Sequence, residues 1–183
     1  KEIYESGSSI FGGAVSGGLD SCTVTHWLHQ NGVEVHCFTV DLGQPDEENL
    51  QAVADRMLAC GASKAIIVPG KELLANAGLK VLQSQARYEG GYWNTTGIAR
   101  PVTVKAILDS LNNDGINVLF HGATGRGNDQ VRFQLTSNML QPDLDVYAPW
   151  RDKEVLDKFP GRQQMIEYCE LNNFPIRPAK EYR

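Results

Sequence analysis

"EVHCFTV", residues 34–40, ends at "DLGQPD", and a helical pattern then runs to Gly61. The first stretch is rich in β-branched and aromatic side chains, as a buried strand is, and Gly43 and Pro45 break it. Leu50, Val53, Ala54, Met57 and Leu58 recur at helical spacing, with Gly61 placed as a left-handed C-cap. "AIIVP" (65–69) reads as the next buried strand. Strand, helix and strand in this order predict parallel pairing.

The alternation continues in both directions. A helix is expected from about Lys71 to Gln85, weakened by Gly78. Val104, Ile107, Leu108 and Leu111 mark another, with Pro101 near its first turn, where a missing N–H costs little. "NVLFHG" (117–122) is a strand, and Val131, Leu135 and Met139 form the expected buried stripe of the following helix. "LDVYAPW" (144–150) is the last strand, followed by a helix around Met165, Tyr168 and Cys169. "SSIFGGAV" (8–15) is placed as the first strand although Gly12 and Gly13 interrupt it. The expected fold class is α/β, a parallel sheet with helices on both faces. Ligands of such sheets sit beyond the carboxyl ends of the strands, so "SGGLDS", "DLGQ", "GATGRGND" and "APW" should share one rim.

A chain of 183 residues fits one domain with a substantial core. Hydrophobic residues at 42% and charged residues at 21% describe an ordinary soluble globular protein. A net charge of −5 argues against a nucleic-acid coat or a polybasic membrane binder, and no apolar run has the length of a membrane span. No secretory signal pattern opens the sequence. Cys22, Cys37, Cys60 and Cys169 lack any C-x-x-C spacing, so packed, reduced thiols in a cytoplasmic protein are expected, with no metal-ligand set.

"AVSGGLDSC" (14–22) lies where a strand should hand over to a helix. Such a turn exposes unpaired N–H groups, and Gly17 and Gly18 let the backbone curve around phosphate oxygens. Ser16 and Ser21 add hydroxyls, and Asp20 fits either as a helix cap or beside a cation that neutralises phosphate. On these residues alone, a plain capped turn is an equal alternative. "HGATGRGNDQVRF" (121–133) brings Asn128, Asp129 and Arg132 to the start of a helix. Asn offers donor and acceptor, Asp accepts from ammonium and Arg grips carboxylate, a set suited to a zwitterionic amino acid. The plainer reading makes Asn128 a cap and Asp129–Arg132 a solvated pair. "ARYEGGYWNTTGIARPVTVK" (86–105) lies between two expected helices, where Arg100 near a helix start needs an anionic partner.

"SGGLDS" resembles the loop of PP-loop enzymes, which cleave ATP between its α- and β-phosphates. With "LGQ", "TGIARPVTVK", "HGATGRGNDQVRF", "APWR" and "GRQQMIEY" in this order, nearly the whole chain resembles the N-terminal nucleotide-binding domain of the argininosuccinate synthase family. The resemblance implies a Rossmann-like fold of the adenine nucleotide alpha hydrolase type. It implies condensation of citrulline with aspartate through a citrullyl-adenylate, with ATP as substrate and Mg²⁺ accompanying it. On the matching positions, Ala14, Val15, Ser16, Gly17, Gly18, Leu19, Asp20, Ser21 and Cys22 would wrap ATP, together with Val40, Gly122, Thr124 and Asp129. Tyr92, Thr96, Arg100, Asn128 and Arg132 would hold citrulline; Thr124, Asn128 and Asp129 would hold aspartate. Asp20, Asp129 and Arg100 are the candidate catalytic groups.

Val15 stands where the family usually has Tyr, Cys22 where Ser or Thr is usual, and Gly97 in place of a common serine. The expected organisation is an extension over 1–9, the nucleotide-binding domain over 10–176, and over 177–183 the start of a linker to a second domain, through which the family forms homotetramers. Another PP-loop adenylating enzyme and a non-catalytic ATP-binding paralogue remain as alternatives.

Overall fold

The computed structural model describes residues 10–44 and 49–175. The extension expected over 1–9, Pro45 of the first turn and the linker expected over 177–183 lie outside the described residues. Five parallel strands make one sheet: β1 (Ile10–Ala14), β2 (Glu34–Asp41), β3 (Lys64–Pro69), β4 (Val118–His121) and β5 (Asp145–Tyr147). Their order is β3-β2-β1-β4-β5. The chain therefore steps outward from β1 to β3 and returns to β1's other side for β4. The crevice between β1 and β4 is the topological switch point, the place where open α/β sheets hold ligands.

Seven α-helices join and flank these strands among the described residues: α1 (Leu19–Gln30), α2 (Leu50–Ala59), α3 (Lys71–Gln83), α4 (Thr95–Asn113), α5 (Asn128–Leu140), α6 (Lys153–Lys158) and α7 (Arg162–Leu171). A 3₁₀ turn at Pro149–Arg151 follows β5. One apolar layer joins Phe11 to Trp27 and Leu28 of α1, Met57 of α2 and Cys169 of α7. The other joins Phe38 and Leu119 to Val104, Ile107 and Leu111 of α4 and Phe133 of α5. Helices thus cover both faces, which is why β2 and β4 are buried at nearly every position. Each such side chain buried contributes about 1.5–3 kcal/mol.

The two glycines of β1 strengthen this arrangement. A Cβ on Gly12 would run into the Leu111 side chain, and one on Gly13 into the Phe120 ring. Their absence lets both large groups close onto the central strand. All four cysteines are buried and unpaired, as expected.

The structure corrects three expectations. Val131, Leu135 and Met139 are exposed by 47%, 56% and 82%, and the buried side of α5 carries Phe133 and Ser137. Both sets obey helical spacing; the small Ser137 and the stacking of Phe133 on His121 decide which one faces the sheet. Second, α4 begins at Thr95, so half of the expected connecting segment is helical and Pro101 lies inside the helix. Its missing N–H costs a bond, locally about 3 kcal/mol, which the burial of Val104, Ile107 and Leu111 offsets. Third, the last strand ends at Tyr147, because Pro149 turns the chain into the 3₁₀ segment.

Candidate functional site

The loop after β1 is held open from behind. Val15 continues the sheet by donating its N–H to the Phe38 carbonyl at 3.0 Å. Gly18, in extended conformation, is the N-cap of α1, and no side chain caps this helix end. Asp20 therefore does not cap; it sits in the first turn, and among the described residues no N-cap side chain takes the N–H groups of this helix end. Gly17 has a φ of +71°, and a side chain on it would meet Val53 and Arg56. The Arg56 guanidinium donates to the Gly17 carbonyl at 2.8 Å, which ties α2 to this loop. The Ser16 N–H donates to Ser21 Oγ at 3.2 Å. Burial pushes the Asp20 carboxyl above its ordinary value, although its own backbone N–H and Arg162 work against this.

The loop after β4 meets the first one. A Cβ on Gly122 would lie 3.4 Å from Asp20 Cβ, so the two turns are in van der Waals reach. Gly127 is the N-cap of α5, which makes Asn128 the first helical residue and not the cap. Asp129 accepts from Arg132 Nη1 at 2.7 Å and from Arg100 Nε at 3.0 Å. Burial opposes its charge, but the two guanidiniums outweigh burial and hold the carboxyl below its ordinary value. Arg100, in the second turn of α4, thus finds the anionic partner that its position calls for. Below the loop, His121 is 1% exposed, accepts the Ala123 N–H at Nδ1 and stacks on Phe133 with ring centroids 4.7 Å apart. Burial lowers its pKa to about 4, so the imidazole is neutral at pH 7.

Between these loops lies a cavity of about 210 Å³. Ala14, Val15, Ser16, Gly18, Asp20 and Ser21 form one wall. Val40 and Leu42 make an apolar side, and Gly122, Asp129 and Arg100 also line the cavity. Gln44 clamps the end of β2, taking the Leu42 N–H at 2.9 Å and donating to the Val40 carbonyl at 3.1 Å. The remaining expected residues fall elsewhere. Gly17 and Leu19 sit behind the wall, and Cys22 is fully buried beneath it. Thr124 lines a neighbouring cavity, and Asn128 is exposed at the start of α5. Tyr92 and Thr96 meet one another at the exposed start of α4, 3.2 Å apart. Hydrogen bonding with the Thr95 and Thr96 side chains and the Thr96 N–H brings the Tyr92 hydroxyl down to about 8, and the charge of Arg132 adds to this.

Sequence reasoning missed Arg56, His121 and Phe133. Arg56 carried a readable signal, a cation set between Val53 and Met57 at the edge of an apolar stripe. His121 and Phe133 stood inside a quoted motif, but nothing in their spacing announces that they stack. Among the described residues no group of three or more His, Cys, Asp and Glu could hold a metal ion. None of the described helices is long and apolar enough to cross a membrane.

Parallel order, covered faces and a cleft at the switch point define the class: a Rossmann-like α/β domain with two glycine-rich loops at its ligand rim. Residues 12–175 match the family described as the arginosuccinate synthase N-terminal HUP domain, and the chain belongs to the argininosuccinate synthase family. It is 44% identical over 172 residues to argininosuccinate synthase of Rhodopirellula baltica, covering 92% of this chain and 42% of that protein. It is 41% identical over 170 residues to the chloroplastic argininosuccinate synthase of Arabidopsis thaliana, covering 92% of this chain and 33% of that one. The chain thus spans less than half the length of these relatives. Among solved structures, a predicted subunit of tRNA methyltransferase from Methanocaldococcus jannaschii superposes with a TM-score of 0.53 at 16% identity, covering 88% of this chain and 75% of that one. At that identity the likeness concerns the fold alone.

Proposed function

We propose that this chain is the nucleotide-binding part of an ATP-dependent ligase that joins citrulline to aspartate through a citrullyl-adenylate. The observation that carries the reading is the meeting of the phosphate loop and the second glycine-rich loop around one cavity at the switch point. The uncapped first turn of α1, with Ser16 and Ser21, offers donors to phosphate oxygens. Val40 and Leu42 supply the apolar side against which an adenine would lie. Asp20 is a lone carboxylate beside these donors, and its raised pKa means that a cation there would relieve the cost of burying its charge. It therefore fits the Mg²⁺ that ATP carries, whose chemistry is to neutralise the phosphate oxygens.

The amino-acid side of the site follows from the Arg100–Asp129–Arg132 cluster. Two guanidiniums share one carboxylate, leaving donor capacity for the carboxylate of an incoming substrate. Tyr92, Thr96, Arg100, Asn128 and Arg132 are assigned to citrulline, and Thr124, Asn128 and Asp129 to aspartate. Attack by the ureido oxygen on the α-phosphorus forms the adenylate, and the electron pair of the broken P–O bond leaves with pyrophosphate. The aspartate amine then displaces AMP. The protein's share is placement and charge stabilisation; it lends no covalent group.

ATP–pyrophosphate isotope exchange, measured with and without citrulline beside a calorimetric ATP titration, tests the proposal. Binding with citrulline-dependent exchange is the expected result. ATP binding without exchange at any citrulline concentration would replace the ligase reading with a nucleotide sensor, and absence of ATP binding would overturn both.

A further inference from the structure

Arg56 stands in the last turn of α2, 39 residues along the chain from the glycine that it touches. The side chain is half-buried. Its Nη1 donates to the Gly17 carbonyl at 2.8 Å, while its Nε is buried with no acceptor among the described residues. The unmet N–H disfavours this placement, and the bond to Gly17 offsets it. From α1, the Cys22 thiol reaches the same carbonyl oxygen at 3.8 Å. Gly17 is thus held from two helices, and packing closes the arrangement. A Cβ on Gly17 would come within 2.7 Å of Val53 Cγ1 and 2.8 Å of Arg56 Nη1.

This hold has a consequence one atom further along the backbone. The peptide between Gly17 and Gly18 is trans, and in a trans peptide the carbonyl and the N–H point in opposite directions. With the Gly17 oxygen bonded to Arg56, the Gly18 N–H points away from α2. Gly18 lines the cavity of about 210 Å³ and Gly17 does not. The Gly18 N–H has no acceptor among the described residues. Nothing in the two glycines themselves enforces this orientation. Lacking Cβ atoms, they adopt either sign of φ, so the peptide between them can turn over and present its oxygen to the cavity instead.

We propose that Arg56 is a positioning residue for nucleotide binding: by holding the Gly17 carbonyl it fixes the Gly18 N–H as a donor facing the cavity. The inference rests on the ATP reading above and extends it to a side chain that does not line the cavity. A turned-over peptide would set an oxygen against phosphate oxygens where an N–H is needed. The hold on Gly17 is therefore preorganisation, with the donor in place before the ligand arrives. Its effect falls on the phosphates and leaves the apolar side of Val40 and Leu42 as it is.

Calorimetric titration of the chain and of R56M with Mg²⁺–ATP and, separately, with adenosine tests the proposal. Methionine keeps an unbranched stem beside Val53 and removes the donor. In R56M the ATP affinity is expected to fall about tenfold, the loss of one charge-assisted hydrogen bond, while adenosine affinity changes less than about twofold. The loss should persist in about 0.5 M salt, because it comes from the set of a peptide and not from long-range attraction by a cation. Unchanged ATP affinity, adenosine weakened as much as ATP, or a loss that vanishes at high salt would each overturn the inference. Failure of the unsubstituted chain to bind ATP strikes instead at the nucleotide reading, so the two failures are distinguishable. Thermal melting checks that R56M folds, and R56Q, read by the same titrations and the same criteria, takes its place if it does not.

Discussion

Replacing His121 with Asn should remove a specific part of the protein's acid sensitivity. His121 ends β4 and is 1% exposed, with Nδ1 accepting the Ala123 N–H at 3.2 Å and Nε2 buried without a partner among the described residues. Burial is the main cause that lowers its pKa from 6.5 to about 4, and Arg100 adds to it against the opposing pull of Asp129. The sign follows from which state takes the proton first. As pH falls, the unfolded chain protonates near 6.5 while the folded chain stays neutral until about 4, so stability is lost across that window. A gap of about 2.5 pH units, at about 1.4 kcal/mol each, makes the loss about 3 kcal/mol by pH 4. Asn can keep an acceptor for the Ala123 N–H and does not titrate. Urea unfolding followed by circular dichroism at pH 7, 6, 5 and 4 reads the effect. H121N is expected to start less stable at pH 7, having lost the stack on Phe133, but to fall more gently by about 3 kcal/mol over the range. Parallel pH profiles for the two proteins would refute the burial argument, since every carboxylate is common to both.

Asp20→Asn should raise the melting temperature of the ligand-free chain at pH 7 and weaken its binding of Mg²⁺ with ATP. The folded carboxyl titrates above 3.8, so its neutral form contributes stability that is full below 3.8 and lost as pH rises through the folded value. A differential scanning fluorimetry series from pH 3.5 to 7, with and without Mg²⁺ and ATP, checks both signs; an unchanged melting temperature at pH 7 counts against the buried charge. Gly125→Ala would push a methyl into the Trp150 carbonyl and is expected to cost about 1–3 kcal/mol, as overpacking does. Its readouts are a lower melting temperature and faster proteolysis in the 122–127 loop, and an unshifted melt would show that the loop and the 3₁₀ turn are not in close contact.

What could be read from the residues alone divides along a physical line. β2 and β4 were legible because both faces of each are covered, so nearly every position is buried and β-branched, aromatic and other apolar residues recur without a polar face. β1 was the hard strand, since its reason lies in Leu111 and Phe120, which press on Gly12 and Gly13 from distant parts of the chain. The same distance hid Arg56, whose hold on Gly17 spans from α2 back to the loop after β1. Helix α5 shows the limit of periodicity itself. Val131, Leu135 and Met139 satisfy the helical spacing as well as Phe133 and Ser137 do, and the pattern cannot say which side meets the sheet. Beside the small Ser137 and the stack of Phe133 on His121, the bond from Arg100 to Asp129 ties α5 to α4 in this same rotation. The polar cluster that was read for its chemistry therefore also takes part in the packing, and with this orientation Val131, Leu135 and Met139 remain at the surface.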